Sequence, residues 1–378
     1  MRAVVFALCL AGLACAEPLV VFVEHTIARD LKGGYQVVAV DLNKDGKPDL
    51  LVVAMGMQEL VWYENPGWER HVIAGNLSRM INVAVWDTDG DGIPELVLAH
   101  EFSNQAKDSL GIVSRLEHDG DPRRPWKITE IDRIPTSHRL RWADIAGDGR
   151  KVLISAPLTG PKAEAPDYRG HTPLVFYKPG EWRRQVIGEE NEGVTHGIAI
   201  VDWDGAGRDA ILTAGFTGIH LYRLAKDGAW TRTEIAKGDP APWPKSGSSD
   251  LAVGHIEKRR YIAAIEPWHG NQVVVYQDGR RSVIDDALTD GHTIAAADFN
   301  GDGRDEIVAG FRGAGGGVFI YSADDAAGTH WSKQVLDSSG MAAAACAVAD
   351  LNGDGRADVA CIGQGTSKLK WYENWGPR

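Results

Sequence analysis

Five histidines lie beside short apolar runs that have the length of β-strands. Three come just before such runs, in SHRLRWAD (His138), THGIAIVD (His196) and GHTIAAAD (His292), and two come just after them, in VLAHEF (His100) and IEPWHGN (His269). Imidazole nitrogens can bind Zn²⁺ and leave one coordination position open. An open zinc ion acts as a Lewis acid on a carbonyl or hydroxyl oxygen. The residue types therefore indicate metal-assisted chemistry if the fold brings the histidines together.

Carboxylate, phenol and guanidinium groups accompany these histidines. β-Elimination next to a carbonyl needs a base and a group that stabilises the enolate. The candidate catalytic residues are Glu266, Tyr168, Arg169, Arg312 and His100, and the candidate zinc ligands are His138, His196, His269 and His292. A single histidine at such a position more often caps a strand through hydrogen bonds. The whole set favours a functional site.

Acidic loops follow several of the apolar runs. The loops carry oxygen side chains at relative positions 1, 3, 5 and 9, with glycines between them, an arrangement that suits Ca²⁺ or Mg²⁺ in a tight turn. Four complete copies supply the candidate ligands Asp41, Asn43, Asp45 and Asp49; Asp87, Asp89, Asp91 and Glu95; Asp298, Asn300, Asp302 and Glu306; and Asp350, Asn352, Asp354 and Asp358. We favour a structural role for these sites over catalysis or adhesion.

The acidic loops are part of a longer repeat. Weakened copies start at Asp144 and Asp202, and the segment 250–268 keeps two apolar runs without the acidic loop. The period of roughly 50 residues is typical of a propeller or a solenoid. The last unit stops after WYENWGPR, and the strand that it lacks occurs near the start of the chain as FVEHTIA. The sequence therefore predicts an all-β, seven-bladed β-propeller of four-stranded blades, closed by an N-terminal strand.

This architecture predicts where the histidines lie. If each acidic loop joins the innermost strand to the second one, the start of the first strand and the end of the second lie on the opposite face. The five histidines would then surround the mouth of the central channel. Long segments at 101–111, 157–172 and 238–250, the last with Trp243, belong to the same face and predict a binding cleft, whose aromatic residues suit sugar rings.

The N-terminal residues, the net charge and the cysteines give expectations about the protein's cellular location, its partners and its disulfide state. Residues 1–16 combine Arg2, an apolar run and small residues, which predicts a signal peptide before a single propeller domain at 17–378, in a secreted or periplasmic protein. A net charge of −12 argues against nucleic acid, and no long apolar segment follows that would insert into a membrane. Cys346 and Cys361 lie on the last predicted hairpin, where two neighbouring thiols are favoured and a disulfide is the alternative.

Several segments resemble known families. The hairpins resemble FG-GAP or VCBS propeller repeats. HRLRWAD, THGIAIVD, SGSSDLAVGHI, IEPWHGNQVVVY and GHTIAAADFNGDGRDE resemble, in order and type, the propeller domain of the aldos-2-ulose dehydratase family. The resemblance implies dehydration of 1,5-anhydrofructose or glucosone, with a catalytic zinc near His138, His196, Glu266, His269 and His292. That family's cupin domains, which carry an isomerisation step, have no counterpart in this sequence, so the elimination step alone is expected.

Three functions remain open at this point. The first is a zinc-dependent lyase or dehydratase that acts on a keto-sugar or an oxidised glycoside. The second is a metal-free polysaccharide lyase in which histidine and tyrosine act as base and acid and arginine neutralises a uronate. The third is a propeller that binds glycan or protein without catalysis, for which we expect the histidines to point into blade interiors.

Overall fold

The computed structural model describes residues 20–378, in which the regular structure is β-strand apart from one 3₁₀ helix at Ala106–Asp108. The strands form seven four-stranded antiparallel sheets. The predicted signal peptide, residues 1–16, lies outside the described residues. No helix in the described part of the chain is long and apolar enough to cross a membrane.

Each sheet is one blade. The chain starts with β1 (Val20–Ala28), which joins the last blade. Blade 1 contains β2 (Gly34–Val40), β3 (Asp49–Ala54), β4 (Leu60–Glu64) and β5 (Glu69–Ala74). Blade 2 contains β6 (Asn82–Trp86), β7 (Glu95–His100), β8 (Ile112–Glu117) and β9 (Lys127–Arg133). Blade 3 contains β10 (Ser137–Ala143), β11 (Val152–Pro157), β12 (His171–Tyr177) and β13 (Gln185–Glu192).

Blade 4 contains β14 (Thr195–Val201), β15 (Ala210–Gly215), β16 (Gly218–Leu224) and β17 (Trp230–Ala236). Blade 5 contains β18 (Asp250–Ile256), β19 (Arg259–Glu266), β20 (Gln272–Gln277) and β21 (Arg280–Asp285). Blade 6 contains β22 (Gly291–Ala297), β23 (Glu306–Phe311), β24 (Gly317–Ala323) and β25 (Trp331–Asp337). Blade 7 contains β26 (Ala343–Ala349), β27 (Asp358–Gly363) and β28 (Leu369–Pro377), and β1 is its outer strand.

The blades form a closed ring. The first strand of each blade contacts the first strand of the next blade, and β26 contacts β2, so these seven strands surround a central channel. β1 pairs with β28, and His25 lies opposite Trp371. The predicted seven-bladed propeller and its closure by the N-terminal strand are confirmed.

Apolar packing between blades fixes the ring. The second strand of each blade has neighbours on both faces, and β3, β7, β11 and β23 are buried along their whole lengths. Leu51 and Trp62 of blade 1, for example, share a core cluster with Val83 and Leu98 of blade 2. Burial of these side chains provides the main driving force for the packing of blade against blade.

The two cysteines of blade 7 form a covalent link. Cys346 on β26 lies directly opposite Cys361 on β27, and a disulfide joins their sulfur atoms. The expectation of two separate thiols is therefore wrong, because the cross-strand register brings the two side chains into bonding contact.

The four complete acidic loops join the first and second strands of blades 1, 2, 6 and 7. Each loop is held by its own carboxylates; Asp298 Oδ2, for instance, accepts the Gly303 N–H at 2.9 Å. The carboxylate of Asp49 is fully buried and accepts the N–H groups of Leu42 and Asn65 at 2.9 Å each. Cation binding in these loops stays a prediction. In the second loop, one carboxylate oxygen from each of Asp87, Asp89 and Glu95 lies within 4.8 Å of the others.

Candidate metal centre

A bulge in the first strand aims the candidate ligands into the channel mouth. The pairing of β10 with β11, β14 with β15 and β22 with β23 each skips one residue, and the skipped residues are His138, His196 and His292. A bulged residue leaves the regular alternation of a strand, so its side chain can be redirected. Each of the three lies six residues before the first aspartate of the following loop. The repeated bulge therefore places the residue six positions before each loop on the rim of the channel.

Blade 5 supplies the fourth histidine from a different place. His269 follows β19 and has a φ of 50°, in the left-handed region that few residues other than glycine and asparagine adopt. Its backbone N–H donates to Ser249 Oγ at 3.3 Å. This local conformation brings the His269 ring onto the rings that come from the first strands.

The four imidazoles form one cluster. The centroid of the His196 ring lies 4.9 Å from that of His138, 5.0 Å from that of His269 and 5.0 Å from that of His292. One ring nitrogen from each of His196, His269 and His292 lies within 4.8 Å of the others. The rings contact each other across blades, so they do not point into blade interiors. The structure thus brings together all four candidate zinc ligands, three of them within reach of a single ion.

Hydrogen bonds to carbonyl oxygens orient two of the rings. His292 Nδ1 donates to Ala344 O at 2.6 Å, and His196 Nδ1 donates to Ser249 O at 3.2 Å. The Nε2 atoms of both rings are then unprotonated. Metal-binding histidines characteristically donate their second N–H to such an oxygen, which fixes the tautomer and the ring orientation.

Burial keeps the cluster neutral. The pKa of each of His138, His196, His269 and His292 is held well below the usual range, first by burial and then by nearby positive charge, including that of Arg139. Neutral imidazole is the form that binds a metal ion.

The separation of two nitrogens fits zinc. Nε2 of His196 and Nε2 of His269 lie 3.3 Å apart. Two ligands of a tetrahedral zinc ion, each about 2.0–2.1 Å from the metal, are separated by about 3.3 Å. The donor set, its neutral charge state and this separation fit a zinc ion held by three histidines with one position open.

Two further residues surround the cluster and were not identified from the sequence. Tyr35 is the bulged residue of β2, and its hydroxyl lies 2.8 Å from His138 Nε2 and 3.3 Å from His292 Nε2. Arg139 donates to His138 Nε2 at 3.2 Å and lies over the Tyr35 ring. The signal for Tyr35 was present, because it also lies six residues before an acidic loop, at Asp41. His138 Nε2 has both contacts, whereas His292 Nε2 has only the longer one to Tyr35, so His138 differs from the other three histidines by its contact with Arg139.

Arg312 belongs to the edge of the cluster. Its Nη2 atom lies 3.2 Å from His269 Nδ1 and donates to Asp290 Oδ1 at 3.0 Å. Asp290 Oδ1 is itself 3.5 Å from His269 Nδ1. Arg312 therefore contacts a candidate ligand directly and positions its ring.

Glu266 and His100 have partners outside the cluster. The fully buried Glu266 accepts hydrogen bonds from Ser248, from Tyr276 and, through two nitrogens, from Arg281. Burial raises its pKa, and these three partners oppose the shift. His100 Nε2 is 3.0 Å from Ser114 Oγ on β8. A catalytic role for either residue stays a prediction, since neither makes a hydrogen bond to one of the four histidines.

An aromatic wall continues outward from His269. Trp268 lies against His269 at a centroid distance of 4.6 Å, and Tyr168 and Phe216 pack edge-on against Trp268. Trp243 packs on Phe216, and its indole N–H donates to Asp167 O at 2.8 Å. The predicted long segments 157–172, in blade 3, and 238–250, which enters blade 5, thus meet beside the cluster.

Arg169 lies on the outer part of this wall. Its guanidinium is 4.1 Å from the centre of the Trp243 ring and forms an ion pair with Glu192 at 3.2 Å. The Tyr168 hydroxyl, whose pKa is raised by burial, is 3.5 Å from Gln105 Nε2. Neither Tyr168 nor Arg169 touches the four histidines, so their predicted catalytic roles remain untested.

Comparison with known proteins finds similarity in segments that carry part of this site. The β-propeller domain of aldos-2-ulose dehydratase matches residues 110–279, and the FG-GAP-like repeat matches residues 41–98 and 298–361. The chain is a seven-bladed propeller with segments similar to the FG-GAP-like repeat and to the β-propeller domain of aldos-2-ulose dehydratase. The aldos-2-ulose dehydratase of Phanerodontia chrysosporium is 28% identical over 323 residues, which cover 73% of this chain and 35% of that protein. His138, His196 and His269 lie in the segment that matches the dehydratase propeller domain, whereas Tyr35 and His292 lie outside the segments that match this domain or the FG-GAP-like repeat.

Solved structures show the same fold with low sequence identity. Rhamnogalacturonan lyase YesW has a TM-score of 0.52 at 16% identity, over 91% of this chain and 72% of that chain. BBS1N in complex with ARL6DN has a TM-score of 0.59 at 13% identity, over 94% of this chain and 96% of that chain. Proteins with such different descriptions share this architecture, so function has to be argued from the site.

Proposed function

We propose that this protein is an exported carbohydrate-active lyase that eliminates water from a keto-sugar resembling 1,5-anhydrofructose, or from an oxidised glycoside. The observation that carries the proposal is the cluster of His196, His269 and His292 at the channel mouth. Its support comes from the similarity of residues 110–279 to the dehydratase propeller. A carbohydrate is the proposed ligand, and a net charge of −12 argues against nucleic acid.

The three neutral imidazoles would bind a metal ion. His196, His269 and His292 would hold zinc, which supplies a Lewis acid for the sugar carbonyl. Arg312 and the carbonyl oxygens of Ser249 and Ala344 keep the three rings in place. The structural acidic loops would hold Ca²⁺ or Mg²⁺ and take no part in the reaction.

Tyr35 and His138 would transfer the proton. In the elimination, the C–H bond next to the carbonyl breaks, a C=C bond forms, and the hydroxyl on the following carbon leaves as water after taking up a proton. The Tyr35 hydroxyl and His138 Nε2, 2.8 Å apart, form the hydrogen-bonded couple that can accept and return that proton. Glu266 is not used here because its two oxygens are held by Ser248, Tyr276 and Arg281.

The aromatic wall would position the substrate. Trp268 lies next to His269, and Tyr168 extends the same surface. Apolar faces of sugar rings pack on such side chains, so the wall can hold a sugar with its carbonyl near the cluster.

Export is supported by two features of different kinds. Residues 1–16 have the pattern of a signal peptide. The Cys346–Cys361 disulfide suits an oxidising compartment.

Metal analysis combined with an activity assay tests the proposal. Purified protein should contain about one zinc ion per chain and should convert 1,5-anhydrofructose to an enone that is detected by its ultraviolet absorbance. The matched control is 1,5-anhydroglucitol, which lacks the carbonyl and should not react. Activity should disappear on chelation and return with zinc. Activity on uronate-containing glycans that survives chelation would instead establish the metal-free lyase, and binding without turnover would establish the non-catalytic propeller.

A further inference from the structure

A tyrosine closes most of the junctions between blades on the outer side of the ring. At four junctions, the hydroxyl of a tyrosine on the third strand donates to a side chain of the preceding blade. The pairs are Tyr177 with Asp132 (2.6 Å), Tyr222 with Asn191 (2.9 Å), Tyr321 with Asp285 (2.6 Å) and Tyr372 with Asp337 (2.8 Å). We call this contact the tyrosine clasp.

The junction between blades 4 and 5 departs from this pattern. Tyr276, the tyrosine on the third strand of blade 5, donates to Glu266 of its own blade at 2.6 Å. A cavity of about 410 Å³ lies between the two blades, lined by Trp203 and Lys237 of blade 4 and by Arg260, Tyr276 and Gln277 of blade 5. Blade 5 is also the blade that lacks an acidic loop, since only two residues separate β18 from β19.

The cavity presents hydrogen-bond donors that have no acceptor. Arg260 Nε and Gln277 Nε2 are buried and unpartnered among the described residues. The Arg260 guanidinium lies 4.4 Å from the centre of the Trp203 ring, which holds it in place without neutralising it. In the described part of the chain, Lys237 makes no side-chain hydrogen bond or ion pair. Buried donors are normally satisfied, so these groups indicate an acceptor that comes from a ligand.

The charges and surfaces define that ligand. Arg260 and Lys237 have no carboxylate partner among residues 20–378, and the one carboxylate of the lining, Asp278, is 3.6 Å from Arg259 outside the cavity, so the lining favours an anion. A guanidinium fixed by stacking suits the planar geometry of a carboxylate. Tyr276, Ile235 and Ile262 add an aromatic and aliphatic surface on which the C–H faces of a pyranose can pack. A volume of about 410 Å³ lies within the range of small-molecule sites.

We propose that the cavity between blades 4 and 5 is a second carbohydrate site, which binds a sugar carrying a carboxylate, such as a uronate. Arg260 holds the carboxylate, with Lys237 adjacent, and Gln277 donates to a ring or hydroxyl oxygen. The site is separate from the histidine cluster and does not depend on zinc. It would tether an acidic glycan on the side of the ring.

Calorimetric titration with D-glucuronate, D-glucose and acetate tests this site. Glucuronate should bind one site per chain in the millimolar range, at least about tenfold more tightly than glucose because only glucuronate offers a charge to Arg260. Acetate should bind more weakly than glucuronate because it has no ring to pack on Tyr276. Equal binding of acetate and glucuronate would reduce the site to a simple anion site and overturn the proposal, as would the absence of glucuronate binding.

Two variants separate the site from general charge effects. Arg260→Gln should weaken glucuronate binding about tenfold or more, whereas Arg280→Gln, which removes the same charge from an exposed position outside the cavity, should leave it unchanged. Equal loss in both variants would contradict the assignment. Thermal unfolding of each variant serves as the folding control. Repeating the titration on chelated protein and on His196→Ala should give the same affinity as the wild type, so failure of the dehydratase proposal would leave this result intact.

Discussion

Nε2 of His196 and Nε2 of His269 lie 3.3 Å apart inside a buried cluster. His196 Nδ1 donates to a backbone carbonyl, so its Nε2 atom presents a lone pair toward His269. Such a pair needs either a hydrogen atom or a metal ion between the two nitrogens: the Nε2–H group of neutral His269 can donate to His196, or a cation can bind both nitrogens. The two possibilities differ in metal content, which makes the cluster directly testable.

The first prediction concerns a ligand substitution. His196→Ala should lower the zinc content from about one ion per chain to near zero, because two nitrogens cannot hold the ion as three do. His220→Ala is the matched control, since His220 is also buried but is outside the cluster. Elemental mass spectrometry after gel filtration measures the ratio. Equal zinc in the two variants would rule out the assignment of His196.

The second prediction concerns the hydroxyl that bridges two rings. Tyr35→Phe removes the contacts to His138 and His292 and should cost about 1 kcal/mol of unfolding free energy. It should retain zinc, because the three ligands are untouched, but should lower kcat by about 10²-fold or more through loss of the proton couple. Tyr321→Phe provides the comparison, since it breaks a tyrosine clasp and should cost stability without affecting kcat. Unchanged kcat in Tyr35→Phe would remove Tyr35 from the mechanism.

The arrangement of blades could be predicted from the sequence because it rests on local repeats. The acidic loop fixes a hairpin, and the repeat fixes the direction of each strand, so His138, His196 and His292 could be assigned to one face. The β-bulge that turns these histidines into the channel has no comparable signal in the sequence, because it depends on how the first strand pairs with the second. Tyr35 shares the same offset, but a tyrosine at the start of a strand is equally well explained by its preference for β-structure.

Side-chain contacts with residues on distant strands determine features of the site and of blade 7 that could not be predicted from the sequence. Glu266 is three residues from His269, yet its carboxylate contacts Arg281 on β21 and Tyr276 on β20. The bond between Cys346 and Cys361 depends on a register that spacing alone leaves open. Side-chain direction beyond the ends of strands therefore limits sequence-based assignment of this site.

The third prediction concerns acid. The histidines of the cluster have folded pKa values well below the unfolded value of about 6.5. As the pH falls below about 6.5, the unfolded chain takes up protons that the folded chain does not, so stability is lost. Metal-free protein should therefore have a lower unfolding free energy at pH 5 than at pH 7.5. Replacing His196 and His292 together by glutamine should flatten this dependence, and an unchanged slope would contradict the assignment.

The fourth prediction concerns the disulfide. The bond closes a loop with a sequence separation of 15 residues. Loss of such a cross-link typically costs about 3 kcal/mol, because the unfolded chain gains conformational freedom. Urea unfolding with and without reductant measures the cost. A Cys346→Ala/Cys361→Ala variant should unfold at the same urea concentration in both conditions, and any remaining effect of reductant would point to another cause.

The fifth prediction concerns the acidic loops. Burial, together with the charges of Asp302 and Asp298, raises the pKa of Glu306 to about 8. Without a cation, the folded chain holds a proton on Glu306 that the unfolded chain releases above about pH 4.5, so this contribution to stability is lost as the pH rises through about 8. A bound divalent cation removes the penalty, because it stabilises the ionised carboxylate. Added Ca²⁺ should therefore raise the melting temperature more at pH 8.5 than at pH 6.

Two variants provide the controls for this prediction. Glu306→Gln should be more stable than the wild type at pH 8.5 in chelator, and its melting temperature should respond less to Ca²⁺. Glu164→Gln, at an exposed position, should behave as the wild type. A melting temperature that chelator and Ca²⁺ leave unchanged at both pH values would show that the loops are stabilised by their own hydrogen bonds.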